Sequence, residues 1–172
     1  MKPVLTFDLD GVLCRPPFGI NPGKGQHKVR GAPGKRGLLW HTERWRYAGR
    51  KPMPGAVEGL KGLSELYDCR ILSARSEAAR PKTEAWLRRH FGLELEVNLR
   101  PNWREAPAAY KARRVKELGA IAHFEDDPHT AAWVAEICGR VFMVDWPRNE
   151  WLNAPEVQRI SRLTDALSVL LR

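Results

Sequence analysis

Hydrophobic positions along this chain recur with two alternating periods. An apolar stretch from Pro3 to Phe7 opens the sequence and stops at Asp8, as a short strand buried in a sheet would. From Pro54 to Tyr67 the apolar residues Val57, Leu60, Leu63 and Leu66 take helical spacing, and Cys69 to Leu72 follows as a short buried strand. Glu77 to Phe91 reads as a helix closed by Gly92, Leu95 to Leu99 as a weaker strand, and Ala106 to Leu118 as a helix closed by Gly119. A strand from Ala120 to Phe124 comes next. A helix from His129 to Ile137 ended by Gly139, a strand from Arg140 to Val144 and a final helix from about Pro155 to Leu171 complete the pattern. Strands separated by helices imply an α/β fold, with a parallel sheet covered by helices on both faces.

In such a sheet ligands bind outside the carboxyl ends of the strands, where this chain places its polar segments. The first strand runs into Asp8-Leu9-Asp10-Gly11, the second into Ser73-Ala74-Arg75-Ser76, and the fourth into Glu125-Asp126-Asp127-Pro128. Two carboxylates one residue apart at a strand end can attack and protonate at one site. A second acidic cluster after a second strand suggests a metal held by oxygen ligands. Lys111 lies near the start of its helix, beside the same edge.

Length and composition indicate one domain. The 172 residues, 43% of them hydrophobic, suffice for a single buried core. No uncharged apolar stretch approaches the ~20 residues that span a bilayer, and the N-terminus lacks the features of a secretory signal, so a cytoplasmic location without membrane attachment is expected. Cys14, Cys69 and Cys138 are scattered, which indicates neither a disulfide framework nor a zinc site. The charge is concentrated. Residues 15–51 hold ten basic side chains against the single acid Glu43, while acids and bases balance elsewhere, so this insert accounts for the whole net charge of +9. Its first half is rich in Gly and Pro and reads as loop; Leu38 to Tyr47 carries Trp40 and Trp45 and suits a short helix or strand.

Asp8-x-Asp10-Gly11, Ser73 after an apolar strand, Lys111, and Asp126-Asp127 resemble, in order and neighbourhood, the four motifs of the haloacid dehalogenase (HAD) superfamily. The resemblance covers the chain from Met1 to roughly Val144. It implies a Rossmann-like three-layer αβα core, dependence on Mg2+ and an aspartyl-phosphate intermediate. Asp10 matches the phosphatase branch, since the dehalogenases lack that acid; Ser73 stands where many members have Thr and keeps the hydroxyl. On this reading Asp8 is the nucleophile, Asp10 the acid and base, and Lys111 the group that neutralises Asp8 and the phosphate. Ser73, Ala74 and Arg75 bind phosphoryl oxygens. Asp8, the backbone carbonyl of Asp10, and Asp126 or Asp127 hold Mg2+. Residues 15–51 occupy the place of a small cap, which leaves the site open. An open site under a positive field favours nucleotides or phosphorylated nucleic-acid ends, with Trp45 and Arg46 among the contacts. A phosphorylated small molecule is the other substrate class.

Each assignment has a plainer alternative. Asp8 and Asp10 could form a solvated turn, Asp126 and Asp127 a helix N-terminus, and Ser73 a turn cap. Lys116 competes with Lys111. His123 and His129 flank the acids and are read as surface residues rather than ligands. The insert could be a basic loop anchored by its Trp side chains. Loops 98–105, with Arg100, Trp103 and Arg104, and 145–151, with Trp146 and Trp151, could rim the pocket, although at least one of the last two Trp residues suits packing. Gly31-Ala32-Pro33-Gly34-Lys35-Arg36 lacks the first Gly and the Ser or Thr of a phosphate loop, His41-Thr42-Glu43 lacks the cysteines of a zinc deaminase, and there is no Gly-x-Ser-x-Gly elbow. A non-catalytic nucleic-acid-binding protein on the same fold and a phosphotransferase remain as rival functions.

Overall fold

The computed structural model describes residues 1–16, 49–102 and 104–171. Six parallel strands form one sheet: β1 (Val4–Phe7), β2 (Asp68–Ser76), β3 (Val97–Arg100), β4 (Ala120–Glu125), β5 (Val141–Val144) and β6 (Val157–Ile160), in the order β3-β2-β1-β4-β5-β6. The connecting helices among the described residues are α1 (Ala56–Leu66), α2 (Arg80–Phe91), α3 (Pro107–Leu118), α4 (Pro128–Cys138) and α5 (Leu163–Leu170). Strand side chains alternate between two cores. Leu5, Phe7, Ile71, Phe124 and Phe142 join Leu60, Leu63, Trp86, Leu87, Phe91 and Leu163 on the α1, α2 and α5 side. Leu72, Val141 and Met143 face Tyr110, Val115, Ala131 and Val134 of α3 and α4 on the other. The result is the three-layer αβα arrangement that the alternation of strand and helix patterns implies.

The centre of the sheet is held by an aromatic ladder. Phe7 stacks on Phe124 with ring centroids 4.3 Å apart, and Phe124 on Phe142 at 4.8 Å, crossing β1, β4 and β5 beneath the strand ends. Fully buried rings contribute both area and stacking, so these three positions fix the relative register of the strands that carry the acids.

Two sequence expectations are corrected. The segment read as one helix from about Pro155 to Leu171 divides into β6 and α5, because Val157 and Ile160 are buried against the sheet edge and β6 pairs with β5. β2 extends four residues beyond Leu72, to Ser76, with a register shift against β3 between Ser73 and Ser76, so the Ser73-to-Ser76 segment is the end of the strand rather than the loop after it. Polar Ser73, Arg75 and Ser76 are buried there, which an apolar-run criterion misses. Most of the basic insert, with Trp40, Trp45 and Arg46, and also Trp103, lie outside the described residues. The ends of the insert are stitched together: Arg15 N–H donates to the Lys51 carbonyl at 2.9 Å and Met53 N–H to the Leu13 carbonyl at 2.8 Å.

Candidate active site

β1 lies between β2 and β4, where the strand order reverses direction, the position at which open α/β sheets bind ligands outside their carboxyl ends. Asp8 leaves β1 at this point, its backbone N–H donating to the Phe124 carbonyl of β4 at 2.9 Å. Gly11, at φ 82°, turns the chain back after Asp10 in a conformation that an L side chain resists. Carboxylate oxygens of Asp8, Glu125 and Asp126 all lie within 4.8 Å of one another, and all three residues are buried.

Lys111 reaches this cluster from α3. Its Nζ lies 3.0 Å from Asp8 Oδ2 and 2.6 Å from Glu125 Oε2, whereas Lys116 is exposed on the far side of the helix. Burial would lower the lysine's proton affinity, but the two carboxylates outweigh it and hold Lys111 firmly charged. Burial pushes Asp8 up to about 7, against the pull of Lys111 and with the repulsion of Glu125 and Asp10 added. For Glu125 burial also works upward, but Lys111 and His123 prevail and keep it below the usual carboxylate range.

Glu125 is the hub of the cluster. Oε2 accepts from Lys111 and from His123 Nε2 at 3.0 Å, and Oε1 accepts from the backbone N–H groups of Asp126 and Asp127, both at 3.1 Å. A carboxylate offers about four acceptor sites, and here four donors already occupy them. Glu125 therefore positions Lys111 and the two following aspartates. Because an ionised Glu125 only accepts, His123 must carry its proton on Nε2, leaving Nδ1 to accept from the Thr6 hydroxyl at 2.9 Å. His123 is fully buried, which corrects its reading as a surface residue; it sits in the interior of β4, between Thr6 and Glu125. Burial, only partly offset by Glu125, lowers its proton affinity and keeps it neutral.

The two aspartates after Glu125 separate in role. Asp127 caps α4, its Oδ2 accepting from Thr130 N–H at 3.1 Å and from the Thr130 hydroxyl at 2.8 Å, whereas Asp126 points into the cluster. Asp10 is held from outside the cluster. Arg75 donates to it through Nε at 2.7 Å and Nη2 at 2.5 Å, and Arg50, from the end of the insert, through Nη1 at 2.6 Å. Burial opposes ionisation of Asp10, but the two guanidiniums outweigh it and hold the carboxyl well below the usual range. Its side chain still remains 37% exposed, so it faces the opening while Arg75 is 3% exposed behind it.

Neighbouring segments brace this arrangement. Arg100 is buried, donating to the Ala74 carbonyl at 3.1 Å and the Glu105 carbonyl at 2.7 Å, so it supports the end of β2 rather than lining a rim. Trp146 donates its indole N–H to the Gly11 carbonyl at 3.0 Å, while Trp151 is half exposed and packs on His129. Sequence reading placed Arg50 in the basic insert and Arg148 and Asn149 in a strand-end loop at the rim, but it did not foresee that Arg50 holds Asp10, that Arg148 and Asn149 hold Asp126, or that Glu125 is the hub. Place in a loop does not say which polar group turns inward.

No protein-family model and no curated protein matches this sequence. Solved structures do match over nearly the full chain. A haloacid dehalogenase-like family hydrolase from Streptococcus pneumoniae superposes with a TM-score of 0.66 at 14% identity, covering 98% of each chain. The phosphate complex of CbbY from Rhodobacter sphaeroides gives 0.61 at 12% identity with 96% of each covered. The D,D-heptose 1,7-bisphosphate phosphatase of B. bronchiseptica, complexed with magnesium and phosphate, gives 0.59 at 10% identity with 98% of each covered. At such identities the likeness establishes the fold. This chain has the HAD-like fold that the four sequence motifs imply.

Proposed function

We propose that the protein is a Mg2+-dependent phosphomonoesterase acting through an aspartyl-phosphate on Asp8. The observation that carries this reading is the convergence of Asp8, Glu125 and Asp126 at the topological switch point, with Lys111 paired to the first two and Asp10 two residues beyond Asp8. The structural neighbours include a phosphatase complexed with magnesium and phosphate, and CbbY in complex with phosphate. The donor set fits a hard divalent cation: it is all oxygen, and three carboxylates meet in one buried space. Asp8, Asp126 and the backbone carbonyl of Asp10 would hold the ion. When bound, Mg2+ supplies the positive charge that lets a carboxylate and a phosphate dianion approach each other.

Asp8 attacks phosphorus and the ester oxygen leaves with the bonding electrons. Lys111 stays charged and offsets the negative charge of Asp8 and of the phosphoryl oxygens. Ser73, Ala74 and Arg75, at the end of β2, supply donors to the same oxygens. While both arginines hold Asp10 it is ionised. A phosphate dianion arriving beside it competes for the guanidiniums and repels its charge, and both effects raise its proton affinity toward that of an acid able to protonate the leaving alkoxide. With the alcohol gone, Asp10 is the base that takes a proton from water, and the hydroxide so formed attacks the phosphorus of the acyl phosphate. Inorganic phosphate departs and the Asp8 carboxylate is regenerated.

The substrate class follows from the insert at 15–51, taken as a small cap. Its ends emerge beside Asp10, and its excess positive charge with Trp45 and Arg46 suits nucleotides or phosphorylated nucleic-acid ends. Phosphate release from mononucleotides, 3′- and 5′-phosphorylated oligonucleotides and sugar phosphates, with and without Mg2+, tests both parts. Metal-dependent release that favours the nucleotide substrates and disappears in Asp8→Asn is expected. Release restricted to sugar phosphates would overturn the substrate class, and no release from any substrate would overturn the enzyme reading.

A further inference from the structure

The segment between β5 and β6 brings to the site an arginine that the chemistry above leaves unused. Arg148 sits in a short 3-10 turn, Pro147–Asn149, whose ends are tied to both acid-bearing loops. Trp146 donates to the Gly11 carbonyl at 3.0 Å. The fully buried Asn149 donates through Nδ2 to the Asp126 carbonyl at 3.0 Å and the Val144 carbonyl at 2.8 Å, while its Oδ1 accepts from Trp146 N–H and Arg159. From this fixed base the Arg148 guanidinium donates from Nη2 to Asp126 Oδ2, and its Nη1 lies 3.6 Å from Asp127 Oδ1. The side chain is 14% exposed, and its Nε is buried with no acceptor among the described residues.

We propose that Arg148 is the resident counter-ion of Asp126, that it gives way to a divalent cation, and that it then binds an anionic oxygen of the phosphate ester. This rests on the phosphatase reading. Arg148 engages one of the two carboxylate oxygens of Asp126, and two positive charges on one carboxylate repel each other. The turn beneath it is anchored, so the guanidinium can swing on its own torsions without leaving the rim of the cluster. The present pose leaves Nε unsatisfied, a donor that rearrangement could use. A planar fork of N–H donors matches phosphoryl oxygens, and the phosphoryl group must sit beside Asp8 within that rim. The exchange couples the ligands: the cation frees the arginine, and the freed arginine strengthens binding of the anion.

The test uses the full chain with Arg148→Gln and Arg148→Lys, each checked for cooperative thermal unfolding. Mg2+ is titrated calorimetrically without substrate, and inorganic phosphate is then titrated at saturating Mg2+. Removing the competing charge in Arg148→Gln should tighten Mg2+ about tenfold and weaken phosphate by a similar factor, the size expected for a charge-assisted hydrogen bond. Arg148→Lys, which keeps the charge and loses the fork, should bind Mg2+ like the wild type and phosphate several-fold more weakly. Should the Gln variant fail to fold, the phosphate loss in the Lys variant decides. Unchanged or weaker Mg2+ binding in Arg148→Gln, or undiminished phosphate binding in either variant, would overturn the proposal. Because these readouts are equilibria, they separate it from a failure of turnover.

Discussion

Lys111 is the only lysine among the described residues that touches the acidic cluster, and both of its partners are buried. Replacing it with Met would leave Asp8 and Glu125 without that countercharge, which typically costs about 3–5 kcal/mol for a buried pair broken on one side. The sign with pH can be worked out. Glu125 in the wild type titrates below its ordinary value, so its contribution to stability is present above the unfolded value and is lost as pH falls through the folded one. In Lys111→Met that carboxyl loses its partner and takes up a proton more readily. Urea denaturation should therefore show a large gap between variant and wild type at pH 8 that narrows at pH 5; a gap independent of pH would contradict the electrostatic account. At this scale Asp8, Ser73 and the Glu125 segment were legible because they follow apolar runs. Glu125 was legible as an acid but not as the hub, since only the fold reveals that His123, Lys111 and two backbone N–H groups converge on it.

At the level of elements, period and breaker residues indicated most helices and strands because long amphipathic patterns closed by Gly92, Gly119 and Gly139 carry strong signals. β6 was missed for the opposite reason. Its four residues Val157–Ile160 carry Val and Ile three apart, a spacing that reads equally well as helix, and only pairing with β5 resolves it. α5 then docks on α1 through small residues. A Cβ built at Gly59 would lie 2.7 Å from Leu163 Cβ and 2.9 Å from the backbone of Leu163 and Thr164, whereas at Gly62 the nearest atom, 3.2 Å away, is the flexible end of Leu167. Helix propensity favours Ala over Gly by about 1 kcal/mol at either site, and overpacking typically costs about 1–3 kcal/mol. Gly59→Ala should thus lower the midpoint of denaturation and Gly62→Ala should leave it unchanged or raise it slightly. Equal effects would contradict the close approach of α1 and α5.

For the molecule as a whole, the decisive feature is that one parallel sheet brings Asp8, the end of β2 and the Glu125 segment to one edge at the switch point. The alternation of patterns was enough to expect that edge, because parallel sheets with helical crossovers place every strand end on the same side. What the alternation could not convey was strand order, which depends on long-range pairing, or the bracing by Arg50, Arg100, Trp146 and Asn149 from segments remote in sequence. The described ends of the insert leave and re-enter the fold beside Asp10. Covalent chemistry on Asp8 is tested most directly by acid-quenching the protein milliseconds after mixing with a turned-over phosphate ester and Mg2+, then locating any phosphoryl group by peptide mass spectrometry. A hydroxylamine-labile phosphoryl group on Asp8, absent in Asp8→Asn and without Mg2+, is expected. Turnover that survives in Asp8→Asn, or a phosphoryl group on another residue, would contradict it.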